Sequence, residues 1–337
     1  MLGRKVFGGS LLGGSLGGLL GVLLFGLFAA GCSDEPSSPR TLFSLGDASP
    51  GAVVSLRDAG DGVVEWVERE AGRIMSLDTD ADGAAASIVA ELDVATDGQQ
   101  WGLLSTLLLD DGRRFAAWTM STGGDEADLV VGELVDGETP RLVWNAGSVG
   151  SGGIGGVMDV LDGRLLIGLG QNVEWTNDNA NDGAFVSLDP DGDVDQAPIP
   201  IGDGYINPWA FVVVDDTEVW VADNAAGPDA DDPDADDVER IGRADLDDRG
   251  DMARSTEPDR APAAMIELDD GRLGICGFLD NELRAYEIVD ADTGARSELE
   301  RAGTIMSCNT AAVALDDGTL ITTATTDDGE ALQILTP

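Results

Sequence analysis

Short apolar runs, each interrupted by an Asp-Gly turn or a close variant of one, recur along the chain, and no long stretch carries helical apolar spacing. Asp-Gly between two such runs predicts a β-hairpin, because both residues tolerate positive φ. The runs mix strict alternation with continuous apolar stretches. That mixture suits strands whose sheets are covered on both faces. The pattern predicts an all-β protein.

The hairpin units are copies of one another. They read DGVVEWV from Asp61, DDGRRFAAW from Asp110, LDGRLLIGL from Leu161, DDTEVWVAD from Asp215, LDDGRLGICGF from Leu268 and LDDGTLITTAT from Leu315. Their turn positions, Gly62, Gly112, Gly163, Thr217, Gly271 and Gly318, step by 50, 51, 54, 54 and 47 residues. After each comes a second marker, an apolar strand ending in acidic turn residues, as in GRIMSLDTDADG from Gly72 and GAFVSLDPDG from Gly183. A repeat of about 50 residues accommodates four strands with their turns, the size of one propeller blade. A single blade cannot bury both of its faces, so the units must stack, and a ring leaves none uncovered. We therefore expect a six-bladed β-propeller of four-stranded blades over residues 41–337. The last copy ends at Pro337 without room for a fourth strand, while a spare run, Thr41-Leu42-Phe43-Ser44-Leu45, precedes the first copy. The N-terminal strand, residues 41–46, is expected to close the last blade beside Ala331–Leu335 and hide two strand edges.

Ahead of the repeats, Arg4 and Lys5 precede a long apolar stretch that ends in small residues, the layout of a secretory leader. Ala29-Ala30-Gly31-Cys32 resembles a bacterial lipobox, with Ala29 where Leu or Val is usual. The resemblance implies a signal peptide over residues 1–31, lipidation of Cys32, and a polar, Pro/Ser-rich tether over residues 32–40. The run is also long enough to span a bilayer uncleaved, although seven glycines from Gly8 to Gly21 make it a poor helix. Ser33 after the cysteine favours, by analogy with enteric bacteria, the outer membrane.

Charge narrows the partners. With 19 basic and 64 acidic residues the formal net charge is −45. Such a field repels phosphate backbones and anionic headgroups, so nucleic acid is excluded and membrane contact is expected through the lipid anchor only. It attracts divalent cations and basic partners, and as a solvated surface it keeps an exported monomer soluble. The chain has no histidine. Ser-His-Asp chemistry and His-based zinc sites are thereby removed, leaving carboxylates, Tyr or an oxygen-ligated metal for any catalysis.

The cadence of VWVADN at Val219–Asn224 and GFLDNELRAYEI at Gly277–Ile288 resembles the propeller group that includes NHL, YVTN and gluconolactonase-like proteins. In propellers, the loops between blades and those between second and third strands gather at one end of the axis, where binding sites usually lie. The ligand-face candidates are Trp101, Gln171, Asn172, Glu174, Tyr205, Asn207, Trp209, Asp223 and Asn309. Carboxamides, a carboxylate and Trp faces suit a glycan, a peptide or a metal; the plain alternative is turn formation and packing between blades. The resemblance to gluconolactonase-like enzymes rests on Asn207-Pro208-Trp209 leading to Asp223, and implies a divalent cation held on the axis by oxygen ligands. The chain departs from that group at Pro208 and lacks its early Glu near Ser49–Ala52. Asp78, Asp80 and Asp82, with Gly83 after them, match the first half of a calcium loop, with Val89 in place of its closing Glu. Cys276 and Cys308 are either a disulfide between adjacent blades or two separate buried thiols. We expect a binding or interaction propeller with no catalytic residue. A metal-dependent lactonase-like hydrolase and an accessory subunit of an envelope complex are the alternatives.

Overall fold

A computed structural model describes residues 38–46, 52–81, 85–170, 173–174, 183–203, 205, 207–214, 218–223, 240–243, 261–289 and 298–337. The expected leader and Cys32 lie outside these residues. All described regular structure is β, in six antiparallel sheets.

β1 (Arg40–Gly46) comes first. Blade 1 follows as β2 (Val53–Asp58), β3 (Val63–Glu68), β4 (Arg73–Asp78) and β5 (Ser87–Glu91). Blade 2 is β6 (Leu103–Leu108), β7 (Arg114–Gly123), β8 (Glu126–Leu134) and β9 (Arg141–Val149). Blade 3 is β10 (Gly155–Leu161), β11 (Arg164–Leu169), β13 (Ala184–Leu188) and β14 (Ile199–Asp203); the short β12 (Val173–Glu174) leaves it to pair with β9. Blade 4 shows β15 (Ala210–Val214), β16 (Glu218–Asp223) and β17 (Arg240–Arg243) among the described residues. Blade 5 is β18 (Pro262–Glu267), β19 (Leu273–Gly277), β20 (Glu282–Val289) and β21 (Glu298–Met306). β22 (Ala312–Ala314), β23 (Leu320–Thr326) and β24 (Gly329–Leu335) make blade 6 together with β1, in the order β1-β24-β23-β22. The first strands β2, β6, β10, β15, β18 and β22 each touch the next, and β22 touches β2, so the ring closes around an axis.

The hairpins at the far end of the inner strands follow the turn residues. In blade 3 the two-residue loop Asp162-Gly163 has φ of 50° and 70°, which an Asp-Gly pair permits and most pairs do not. Blades 2, 5 and 6 share a longer turn, in which Gly112, Gly271 and Gly318 donate N–H to the carbonyls of Leu109, Leu268 and Leu315. The second Asp of each turn accepts an N–H from two residues on: Asp111 from Arg113, Asp270 from Arg272, Asp317 from Thr319. Those N–H groups lead in holding Asp111 and Asp317 below the usual carboxylate range, and the Arg272 side chain leads at Asp270. Depressed carboxylates add stability that is complete above the ordinary Asp value of about 4 and drains as pH falls through the depressed values. All three are on the surface, where solvent keeps the contribution small.

The core lies between blades rather than within them. One apolar cluster joins blades 1, 2 and 3, and four smaller ones join 3 to 4, 4 to 5, 5 to 6 and 6 to 1. Between blades 3 and 4, Phe185 meets Tyr205 and Phe211 edge-on, with ring centroids 4.8 and 4.9 Å apart. Each fully buried large side chain at such a seam is worth about 1.5–3 kcal/mol over its exposed state. Charge also crosses a seam: Arg114 of blade 2 donates to the Glu65 carboxylate of blade 1 at 2.6 Å.

β1 pairs antiparallel with β24, from Arg40 against Ile334 to Gly46 against Glu330. Leu42, Phe43 and Leu45 pack on the seam between blades 6 and 1, and the Phe43 ring lies 5.7 Å from that of Trp66. The first and last strands of the propeller thus close blade 6 together.

Candidate functional site

Inner strands start from the interblade loops, so these loops and the second-to-third-strand hairpins share one end of the ring. There a cavity of about 340 Å³ opens, lined by Arg69 from the β3–β4 hairpin, Gln99 and Gln100 before β6, Asn207 and Trp209 before β15, and Phe278 after β19.

Local chain chemistry sets these groups. Pro208 makes a tight turn in which the Trp209 N–H donates to the Asn207 carbonyl at 2.8 Å. The Asn207 N–H donates to Asp223 Oδ1 at 2.8 Å, so the last residue of β16 fixes the loop. Asn207 is only 8% exposed, and its side-chain Oδ1 is buried with no hydrogen-bond partner. A carboxamide oxygen left in that state costs about 1–3 kcal/mol until a donor meets it. Arg69 is tied by its backbone to Ala52 and Leu103, and its guanidinium donates to the Gln99 carbonyl and to Glu70, each at 3.2 Å. Phe278, 40% exposed, supplies an apolar rim. The mouth can therefore accept a hydrogen bond, donate one, and present ring faces to the apolar side of a ligand.

The other candidates divide. Trp101 donates Nε1–H to the Gly150 carbonyl at 2.7 Å and packs in the core of blades 1–3. Tyr205 is 1% exposed, wedged against Phe185. Asn309 Nδ2 donates to Thr325 Oγ1 and Glu330 Oε2, and its Oδ1 accepts from Thr310. Trp101 and Tyr205 pack between blades, and Asn309 ties together the strands of blade 6. Glu174 pairs in β12 against Ser148 of β9, which puts its backbone on the outer edge of blade 2 rather than at the axis. Gln171 and Asn172 lie outside the described residues. Sequence reasoning missed Arg69 and Phe278; a hairpin tip rich in charge carries no signal of its own in so charged a chain.

For the calcium loop, Asp78 and Asp80 are exposed and form a local turn in which the Asp80 N–H donates to Asp78 Oδ1 at 3.0 Å, while Asp82 lies outside the described residues. Among the described residues no three His, Cys, Asp or Glu side chains converge as metal ligands. An axial divalent ion would fall to Asn207 and Asp223. One Asp223 oxygen is engaged by the Asn207 backbone, and these two residues alone do not fit such an ion. Cys276 of β19 and Cys308, in the loop before β22, are bonded across the seam of blades 5 and 6, with Cα atoms 5.3 Å apart.

No protein-family model matches this sequence, and no curated protein matches it. Solved structures share the architecture. A Thermus thermophilus protein provisionally assigned as an oxidoreductase (glucose dehydrogenase) aligns over 88% of this chain and 99% of its own, with TM-score 0.67 and 18% identity. The PQQ-bound aldose sugar dehydrogenase of Streptomyces coelicolor aligns over 89% and 99%, with TM-score 0.64 and 14% identity. A provisionally assigned gluconolactonase aligns over 88% and 91%, with TM-score 0.53 and 13% identity. At such identities the likeness speaks for the fold: this chain is a β-propeller whose structural neighbours include glucose dehydrogenase and gluconolactonase-like propellers.

Proposed function

We propose that the chain is an exported lipoprotein whose propeller binds a small glycan at the axial mouth. The observation that carries the reading is the buried, unpartnered Asn207 Oδ1 beside Trp209, with Arg69 across the opening. A sugar supplies hydroxyl donors for that oxygen and C–H faces for Trp209 and Phe278. Screening mono- and short oligosaccharides by tryptophan fluorescence is expected to give saturable binders. Asn207→Ala or Trp209→Ala should weaken the best of them tenfold or more; a panel with no binder, or binding indifferent to both changes, refutes the assignment. The lactonase-like alternative draws support from the shared architecture alone.

The lipid anchor rests on Ala29-Ala30-Gly31-Cys32 and the apolar leader. Cys32→Ser is expected to abolish incorporation of labelled palmitate and to move the protein from the membrane fraction to the soluble one. A variant that stays membrane-bound would point to the uncleaved leader as the anchor instead.

A further inference from the structure

Beyond Trp209 the axis holds a second cavity of about 340 Å³, which shares Val54, Trp209 and Ala263 with the mouth. Its walls mix polar and apolar surface in about equal parts, with Leu56, Met158, Phe211 and Met265 among the apolar side chains. Three charged residues stand in this lining, Arg57 and Asp58 of β2 and Asp159 of β10, from strands separated by β6 in the ring. Arg57 and Asp159 belong to different blades and share a lining only once blades 1 to 3 have stacked.

The guanidinium is not cancelled locally. Among the described residues Arg57 stands in no ion pair; its Nη1 donates to the Leu108 carbonyl at 3.1 Å, and its Nε is buried without a partner. Glu65, opposite Arg57 in the β2–β3 ladder, is already taken by Arg114 at 2.6 Å. Burial pushes Arg57 down to about 10 despite the opposing pull of Asp159 and then Glu65, so the guanidinium is under-compensated yet charged at neutral pH. Asp159 accepts N–H bonds from Val160 on Oδ1 and from Val213 on Oδ2. Thr106, only 3% exposed, lines the same cavity with its Oγ1 unpartnered.

Which ligand answers this arrangement is decided by charge at two scales. The guanidinium asks for a carboxylate. A net anion must enter against a formal charge of −45, and would meet Asp159 and Asp58 in the same lining. A net cation gains from that field but leaves Arg57 uncompensated. A neutral molecule carrying both charges avoids both penalties. We propose that the axial cavity binds a small zwitterion, an α-amino acid with an apolar side chain, whose carboxylate meets Arg57, whose ammonium meets Asp159, and whose side chain lies on the Met and Phe walls. The cavity is at the small end of the range for ligand pockets, which suits a single amino acid and not a longer peptide. This site does not depend on what the mouth binds.

Calorimetry on the full chain in detergent, at about pH 6 where an α-amine is charged, separates the readings with three probes of one shape. L-Leucine is expected to bind, with 4-methylpentanoate (carboxylate only) and L-leucinamide (amine only) each at least tenfold weaker. Arg57→Gln should weaken leucine tenfold or more and leave leucinamide no weaker than before, while Asn207→Ala should leave leucine unchanged. Absence of leucine binding, or an analogue that binds as tightly as leucine, overturns the proposal, as does an Arg57→Gln chain that keeps full leucine affinity. Should Arg57→Gln fail to fold, judged by its melting curve, the comparison of the three probes on the unaltered chain decides alone.

Discussion

Deleting residues 41–46 while keeping everything else should unfold the propeller or leave it barely folded. The deletion removes nearly all of β1 and bares β24, whose partners run from Arg40↔Ile334 to Gly46↔Glu330. It also uncovers the seam where Leu42, Phe43 and Leu45 rest on Val53, Trp66 and Leu332. Three half-buried apolar side chains at about 1 kcal/mol each and a handful of ladder hydrogen bonds at about 1 kcal/mol each give a loss of about 5–7 kcal/mol. A natural domain has only about 5–15 kcal/mol to lose. Urea titration followed by circular dichroism is the measurement. The deleted chain should show a lowered midpoint or no folded baseline, and should aggregate through its open edge. A synthetic RTLFSLG peptide added in trans should restore the folded signal by pairing with β24. A deletion chain as stable as the parent would mean that β1 is an ornament on a ring closed by other contacts.

The second large effect concerns Cys276 and Cys308. Both are fully buried, and the bond between them spans 32 residues and ties β19 of blade 5 to the loop leading into β22 of blade 6. A crosslink of that span stabilises by about 3.5 kcal/mol on loop entropy. Cys276→Ala with Cys308→Ala should lower the free energy of unfolding by about that amount, the two small cavities adding somewhat to it. The bond sits inside the seam, so reductant should leave the native protein unchanged and act only once denaturant opens it. Thiol titration of the denatured, unreduced chain checks the premise: two free thiols there, or an unchanged urea midpoint in the double variant, removes the staple from the account.

Much of this architecture is local in origin, which is why it can be read from residue order. Asp162-Gly163 forms its hairpin because those two residues accept positive φ, and the turns at Gly112, Gly271 and Gly318 repeat one another because their residues do. Hairpins of one period imply blades, and blades of one kind imply stacking. The spare strand at residues 41–46 completes the count as the fourth strand of blade 6. Each step needs only neighbours in sequence or the arithmetic of the repeat.

The mouth was only partly legible for the opposite reason. Asn207 and Trp209 line it, whereas Trp101 and Asn309, of similar character and in equivalent loops, spend their polar atoms on Gly150 and on Thr325 and Glu330. Those partners sit 16 to 49 residues away, at places set by how strands and blades pack. Arg57 and Asp159 show the same limit. Each is a charge inside an apolar inner strand, an anomaly visible in VVSLRD and GGVMDVL, but nothing in either run says that they line one cavity.

The chain by itself determined its blade, its period and its closing strand, since turn chemistry and apolar alternation act between adjacent residues. Which polar side chains became mortar between blades, and which were left facing the axis, was decided only when six separate strands met around it. Burial and hydrogen-bond satisfaction are properties of that assembled neighbourhood, and no single blade contains them.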